Sequence, residues 1–112
     1  MSPHPYPPEV VSALKKWQED EAPTAFLVDV ASVFGYLVGI VYGDVHSRFL
    51  DGRRIATSTV ISLGVQCGYL VAYTQSGSRY VVVTYRKEQS PIFEAYLKKL
   101  TDNCDKTTQL NN

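Results

Sequence analysis

The sequence predicts an α+β fold: a curled antiparallel sheet of four to five strands, partly barrel-like, flanked by an N-terminal and a C-terminal helix. Three observations predict it. Apolar residues recur at helical spacing near both ends of the chain. Between them the spacing changes to strand-like alternation, in a stretch rich in valine, isoleucine, tyrosine and threonine. Glycines punctuate that stretch closely enough for short connections and strong twist, which favours a meander that curls on itself. A flat sheet packed on two helices is the alternative. At 112 residues and 45% hydrophobic content, the chain suffices for one core, so a single domain over 1–112 is expected.

The first helix is expected over Glu9 to Asp20. Val10, Leu14 and Trp17 fall on one face with Val11 beside them, Pro8 suits the first turn, and Pro23 prevents much extension. The sheet is expected over 24–86. Thr24 to Ser32 alternates Phe26, Val28 and Val30 with Leu27 and Asp29. Gly35 to Gly43 places Tyr36, Val38, Ile40 and Tyr42 opposite Leu37, Gly39 and Val41, with Gly39 leaving a gap for close packing or bending. A further strand runs from Ile55 to Leu63. Tyr69 to Thr74 and Arg79 to Arg86 form a hairpin through Gln75-Ser76-Gly77-Ser78, whose glycine supplies a positive φ. Ser90 caps and Pro91 opens a second helix over 91–100, with Phe93, Tyr96, Leu97 and Leu100 at helical spacing. The polar tail, 101–112, is expected to fray.

Composition excludes several classes. Eleven basic residues balance eleven acidic ones, so no net field draws the protein to nucleic acid or an anionic membrane. The most apolar stretch, Val30 to Val41, is shorter than the roughly 20 residues a bilayer span requires. The start lacks the basic and apolar segments of a secretory signal, so a cytoplasmic protein is expected. Cys67 and Cys104 are expected as free thiols, a single bridge between them being the alternative. With two scattered histidines besides, neither a metal site nor a cofactor is expected.

The segment from Gly43 to Ser58 is the most distinctive, reading as a long charged connection between strands. In the structural reading, Asp51-Gly52 is a turn, Arg48 pairs with Asp44, and Phe49 plugs the core edge. In the functional one, Arg48, Arg53 and Arg54 present guanidinium forks to a phosphate or a partner's carboxylates, with His46, Asp51, Thr57 and Ser58 nearby. A catalytic use of His46 with Asp44 or Asp51, and of Ser47 or Ser58 as nucleophile, finds no supporting motif, and no catalytic residue is expected. Eight tyrosines invite a second surface: Tyr69, Tyr73, Tyr80 and Tyr85 on adjacent strands, and Tyr36 and Tyr42 on another, either pack the sheet or form a recognition face beside Arg79, Arg86 and Lys87.

The order His46-x-Arg48-Phe49-x-Asp51-Gly52-x-x-Ile55-x-Thr57-Ser58, followed by Ser76-Gly77-Ser78-x-Tyr80, resembles a pattern in small uncharacterised proteins encoded by bacteria, phages and prophages. It covers about the central half of the chain. The resemblance implies a compact β-rich module of mobile-element or bacterial origin and carries no activity with it. The expected function is therefore non-catalytic binding, by the arginine segment with Tyr73, Arg79 and Tyr80, to a bacterial host protein, and an inhibitory or modulating role against host defence extrapolates from that setting. Binding of a nucleotide-like small ligand is the alternative, and nucleic acid ranks third. An edge strand, Thr24 to Ser32 or Arg79 to Arg86, offers pairing with a second copy as a homodimer.

Overall fold

The computed structural model describes residues 6–17 and 23–110, with side chains as far as Thr101. Its elements follow in the order α1 (Pro8–Lys16), β1 (Ala25–Val33), β2 (Tyr36–Tyr42), β3 (Arg53–Ala56), β4 (Val60–Gln66), β5 (Tyr69–Thr74), β6 (Arg79–Val82), a 3₁₀ turn (Lys87–Gln89) and α2 (Ser90–Leu110). The protein is α+β, as expected, with six strands rather than four or five. No helix among the described residues is long and apolar enough to cross a membrane.

Helix α1 starts on Pro8, where a missing N–H is harmless, and ends with Lys15 and Lys16 near its negative pole. Its buried side is centred on Val10 and Ala13, with Trp17 half-buried beyond them. Val11 and Leu14, expected on that side, are exposed at its margins. The small Ala13 side chain permits the close approach that turns the helix this way. The acidic run to Asp20 lies outside the described residues. Helix α2 is preceded by the 3₁₀ turn and continues to Leu110, where a frayed tail was expected from Thr101. No proline or glycine interrupts Thr101 to Leu110, so nothing local stops the hydrogen-bonded spiral.

All six strands form one mixed sheet in the order β3-β2-β1-β6-β5-β4. It consists of two three-stranded antiparallel meanders, β1-β2-β3 and β4-β5-β6, joined by a parallel seam in which Ala25, Phe26 and Leu27 face Tyr80, Val81 and Val82. A purely antiparallel meander was expected. The parallel seam arises because each half runs up, down and up, so its inner strands point the same way. Thr24 to Ser32 and Arg79 to Arg86, expected as edges open to a second copy, are thus the two central strands, β6 ending at Val82.

The edges are β3 and β4, which share no ladder, so the sheet is not closed. The run Ile55 to Leu63, expected as one strand, is divided between them. Its first part pairs with β2 and its second with β5, the exchange falling on residues 57–59. There the Thr57 N–H donates to the Leu37 carbonyl at 2.8 Å, the Val60 N–H to the Gly35 carbonyl at 2.8 Å, and the Gln75 N–H to the Thr59 carbonyl at 2.8 Å. The expected hairpin is present: β5 and β6 flank a loop in which Gly77 has φ +90° and its N–H donates to the Thr74 carbonyl at 2.9 Å.

Strand alternation divides the core into two layers. On one face Val10 and Ala13 of α1 pack with Phe26, Tyr42, Val71 and Val81. On the other, Phe93 of α2 joins Leu27, Val30, Val41, Ile55, Leu70 and Val82, all buried. The bulge between Val28 and Ala31 keeps this partition in register, because Asp29 in the left-handed region (φ +55°) adds the extra residue that turns Val30 onto the α2 face. Its N–H is held by the Thr84 hydroxyl at 2.8 Å.

Candidate functional site: an arginine-lined edge

The connection after β2 is organised by one carboxylate. Asp44 has a fully buried side chain whose oxygens accept the backbone N–H groups of His46 (3.1 Å), Arg48 (2.9 Å) and Phe49 (3.1 Å), and Arg48 Nε stands 3.5 Å away. Burial pushes the carboxyl pKa up. The three N–H donors and the Arg48 charge outweigh burial and hold it below the ordinary aspartate value. Asp51 closes the other end of the loop. Its Oδ1 accepts the Gly43 N–H at 2.8 Å, and it receives the Tyr6 hydroxyl, whose pKa is raised first by burial and then by that carboxylate. Gly52, at φ +85°, completes the turn.

The turn and the Asp44–Arg48 pair were both expected, and Phe49 does pack half-buried against the core. Arg53 and Arg54, expected in a solvated loop, instead belong to β3. The reason is that β2 would otherwise leave a row of unpaired backbone groups at Val38–Val41, which the returning chain satisfies.

Three arginines meet at this edge. Arg48, Arg53 and Arg54 line one cavity of about 330 Å³ together with Phe49, Leu50, Ile55 and Ala56, and no carboxylate among the described residues lines it. Arg48 is the positioned member: its guanidinium lies over the Phe49 ring (5.2 Å) and reaches the buried Tyr80 hydroxyl at 3.4 Å. Burial lowers its pKa, while Tyr80 and Asp44 raise it further, so the net direction is upward. Arg54 approaches Asp29 at 3.7 Å, with Arg86 on the same carboxylate at 3.8 Å, all substantially exposed. Arg53 is exposed and has no ion-pair partner among the described residues. Comparisons with protein-family models, curated proteins and solved structures find no match for this chain.

The other expected site residues disperse. His46 is exposed at the loop tip, and Asp44, the base's supposed orienter, has its oxygens occupied by backbone donors. Thr57 is buried, accepting the Leu37 N–H at 3.0 Å and donating to the Ser58 carbonyl at 2.8 Å. Ser58 exchanges hydrogen bonds with Ser76, its hydroxyl donating at 3.0 Å and accepting the Ser76 N–H at 3.2 Å. Both residues secure the partner exchange between β3 and β4. Tyr73 and Arg79 sit opposite each other on β5 and β6, away from the arginine edge, and the Arg79 N–H donates to Thr24 Oγ1 at 2.9 Å.

A single tyrosine surface is absent among the described residues. Tyr42, Tyr69 and Tyr73 pack under α1, whereas Tyr80 and Tyr85 lie in the α2 layer, Tyr85 stacked on Phe93 at 5.0 Å. Strand pairing explains the split: Tyr80 faces Ala72, one residue out of phase with Tyr73. Cys67 is exposed and free, and the Cys104 side chain lies outside the described residues.

The sequence reading missed Asp44 as the organiser of the loop, although an aspartate directly after Gly43 and four residues before Arg48 marks a side chain able to gather local N–H groups. It also missed a second concavity. A groove of about 440 Å³ opens between the β1–β2 turn, the start of β4 and α2, with Leu37, Val60 and Phe93 in its lining. No periodicity argument brings those distant segments together.

Proposed function

We propose that the protein is a non-catalytic binding module whose β3 edge grips an acidic surface of a partner protein. The observation that carries this reading is the cavity lined by Arg48, Arg53 and Arg54, in which, among the described residues, no carboxylate is present and Arg53 has no ion-pair partner. Guanidinium groups offer planar, permanently charged forks that match carboxylates. The Asp29–Arg54 contact already has this chemistry. Being long and exposed, it contributes little to stability and can yield to a better-placed carboxylate.

The reading includes a curled, partly barrel-like sheet as its scaffold. In a flat sheet, five strand spacings would separate β3 from β4 by about 24 Å, yet four Cα steps from Ala56 to Val60 span at most about 15 Å. The resemblance of the central half to phage and prophage proteins supports a cytoplasmic bacterial host protein as the partner, with inhibition or modulation of host defence as the consequence. A nucleotide-like ligand is the second reading, favoured by the cavity volume, which lies at the small end of ligand sites.

Capture from a bacterial lysate tests both. The tagged full chain is expected to retain a stoichiometric protein, and Arg53→Glu is expected to lose it while keeping its circular dichroism and melting temperature, since the exposed Arg53 side chain has no ion-pair partner among the described residues. Retention of a heat-released nucleotide without protein would select the second reading. Undiminished capture by the folded variant removes the arginine edge from the site.

A further inference from the structure

We propose that the protein forms a two-fold dimer in which Phe34 of each copy enters the apolar groove between β4 and α2 of the other. Phe34 and Gly35 form the two-residue turn between β1 and β2, both with positive φ, at +47° and +89°. Glycine adopts this conformation freely, but phenylalanine is strained there. The Phe34 side chain is 99% exposed, so no contact among the described residues offsets that strain. A large aromatic ring held in water on a rigid hairpin is instead a preformed anchor for another surface.

The matching hole lies beside it. Gly35 itself lines the 440 Å³ groove, whose other walls are β4 and α2. Ile61 on β4 and Ile92 and Tyr96 on α2 stand around it with 67, 52 and 47% exposure, and Lys99 is the sole charged residue among the described ones that line it. Exposed apolar side chains gathered around a concavity mark an interaction surface.

A second copy is the occupant because this chain carries the complementary anchor next to the hole. A two-fold axis passing between Phe34 and the groove exchanges the two, so both insertions form in one isologous interface and association stops at the dimer. A free peptide would have to supply an aromatic anchor for the groove and would leave Phe34 in water. Charge does not oppose the approach: β4 reads Val-Ile-Ser-Leu-Gly-Val-Gln, and the chain as a whole is neutral. The opposite edge, with Arg53 and Arg54 on β3, lacks this permission, since copies meeting there would bring like charges together.

Sedimentation velocity on the full chain tests the assignment. The wild type is expected to move from its 12.5 kDa monomer toward twice that mass as concentration rises through about 10–100 µM, a range typical of modest interfaces. Phe34→Gly, which removes the anchor and relieves the backbone, should melt no lower than wild type yet weaken dimerisation by about tenfold or more. Ile61→Lys, at an exposed position, should do the same from the groove side, and Arg53→Glu should leave the dimer unchanged. A wild type that stays monomeric at about 200 µM, or a dimer indifferent to Phe34→Gly, would overturn the proposal. Dissociation by Arg53→Glu alone would also overturn it, by moving the interface to the other edge.

Discussion

Asp44 shows how one side chain can set the shape of a functional loop. Its carboxylate replaces the secondary-structure partners that the N–H groups of His46, Arg48 and Phe49 lack, and by drawing in Arg48 it fixes one member of the arginine edge. Truncation to alanine leaves three donors and one guanidinium without their acceptor. Asp44→Ala is expected to cost about 1.5–3 kcal/mol near neutral pH, the range for hydrogen bonds to a charged group, measured as a shift in the urea midpoint. The pH dependence follows from the direction of the pKa. The folded value lies below the ordinary 3.8, so this stabilisation is fully present above 3.8 and is lost as acid drives the pH through the lower, folded value. The gap between wild type and Asp44→Ala should therefore close below that point, and a gap that persists there would contradict the carboxylate's role. Residue-scale chemistry was largely legible in the sequence: the Asp44–Arg48 pair, the Asp51-Gly52 turn and the Gly77 loop all depend on neighbours a few positions apart. Thr57 and Ser58 were misread because their partners, Leu37 and Ser76, are about twenty residues away.

At the level of elements, legibility follows the same distance rule. Helix α1 and the β5–β6 hairpin have local signals, proline at a helix start and glycine at a turn, whereas β3 is four residues long and begins with two arginines, so only the open side of β2 makes it a strand. Gly39 is the case in which a sequence gap gained a specific structural cause. A Cβ there would stand 3.1 Å from both the Val28 carbonyl oxygen and Val30 Cγ2, beside the bulge at Asp29. Those atoms are held in place by the bulge and the core, so Gly39→Ala is expected to cost about 1–3 kcal/mol as overpacking. Gly64 offers a control on another strand, because a Cβ there meets the Tyr73 ring at 3.4 Å, an ordinary contact with a side chain able to shift. Thermal melts should show a clear drop for Gly39→Ala and a smaller one for Gly64→Ala. Equal drops would mean that backbone approach at the bulge is not the constraint.

Across the whole molecule, the two meanders touch through a parallel seam of three ladder pairs and the Val30–Tyr85 bridge, which by itself resembles a boundary between two units. The core layers contradict that division. Under α1, Phe26 and Tyr42 from the first meander pack with Val71 and Val81 from the second, and on the α2 face Leu27 and Val41 meet Leu70 and Val82. Neither half can leave without exposing apolar surface belonging to the other, so unfolding should be a single cooperative transition. Trp17, the only tryptophan, packs edge-on against Phe26 at 5.8 Å and reports on the α1 layer, while far-ultraviolet circular dichroism reports on the whole sheet. The two melting curves are expected to coincide, with a calorimetric enthalpy near 80 kcal/mol, from about 0.7 kcal/mol per residue, equal to the van't Hoff value. Val81→Ala and Val82→Ala, which open opposite layers, should lower that same shared midpoint. An early tryptophan transition would show that α1 and its layer separate first. It would also mean that Tyr6, just before α1, leaves Asp51, removing one support of the arginine edge while the rest of the sheet stays folded.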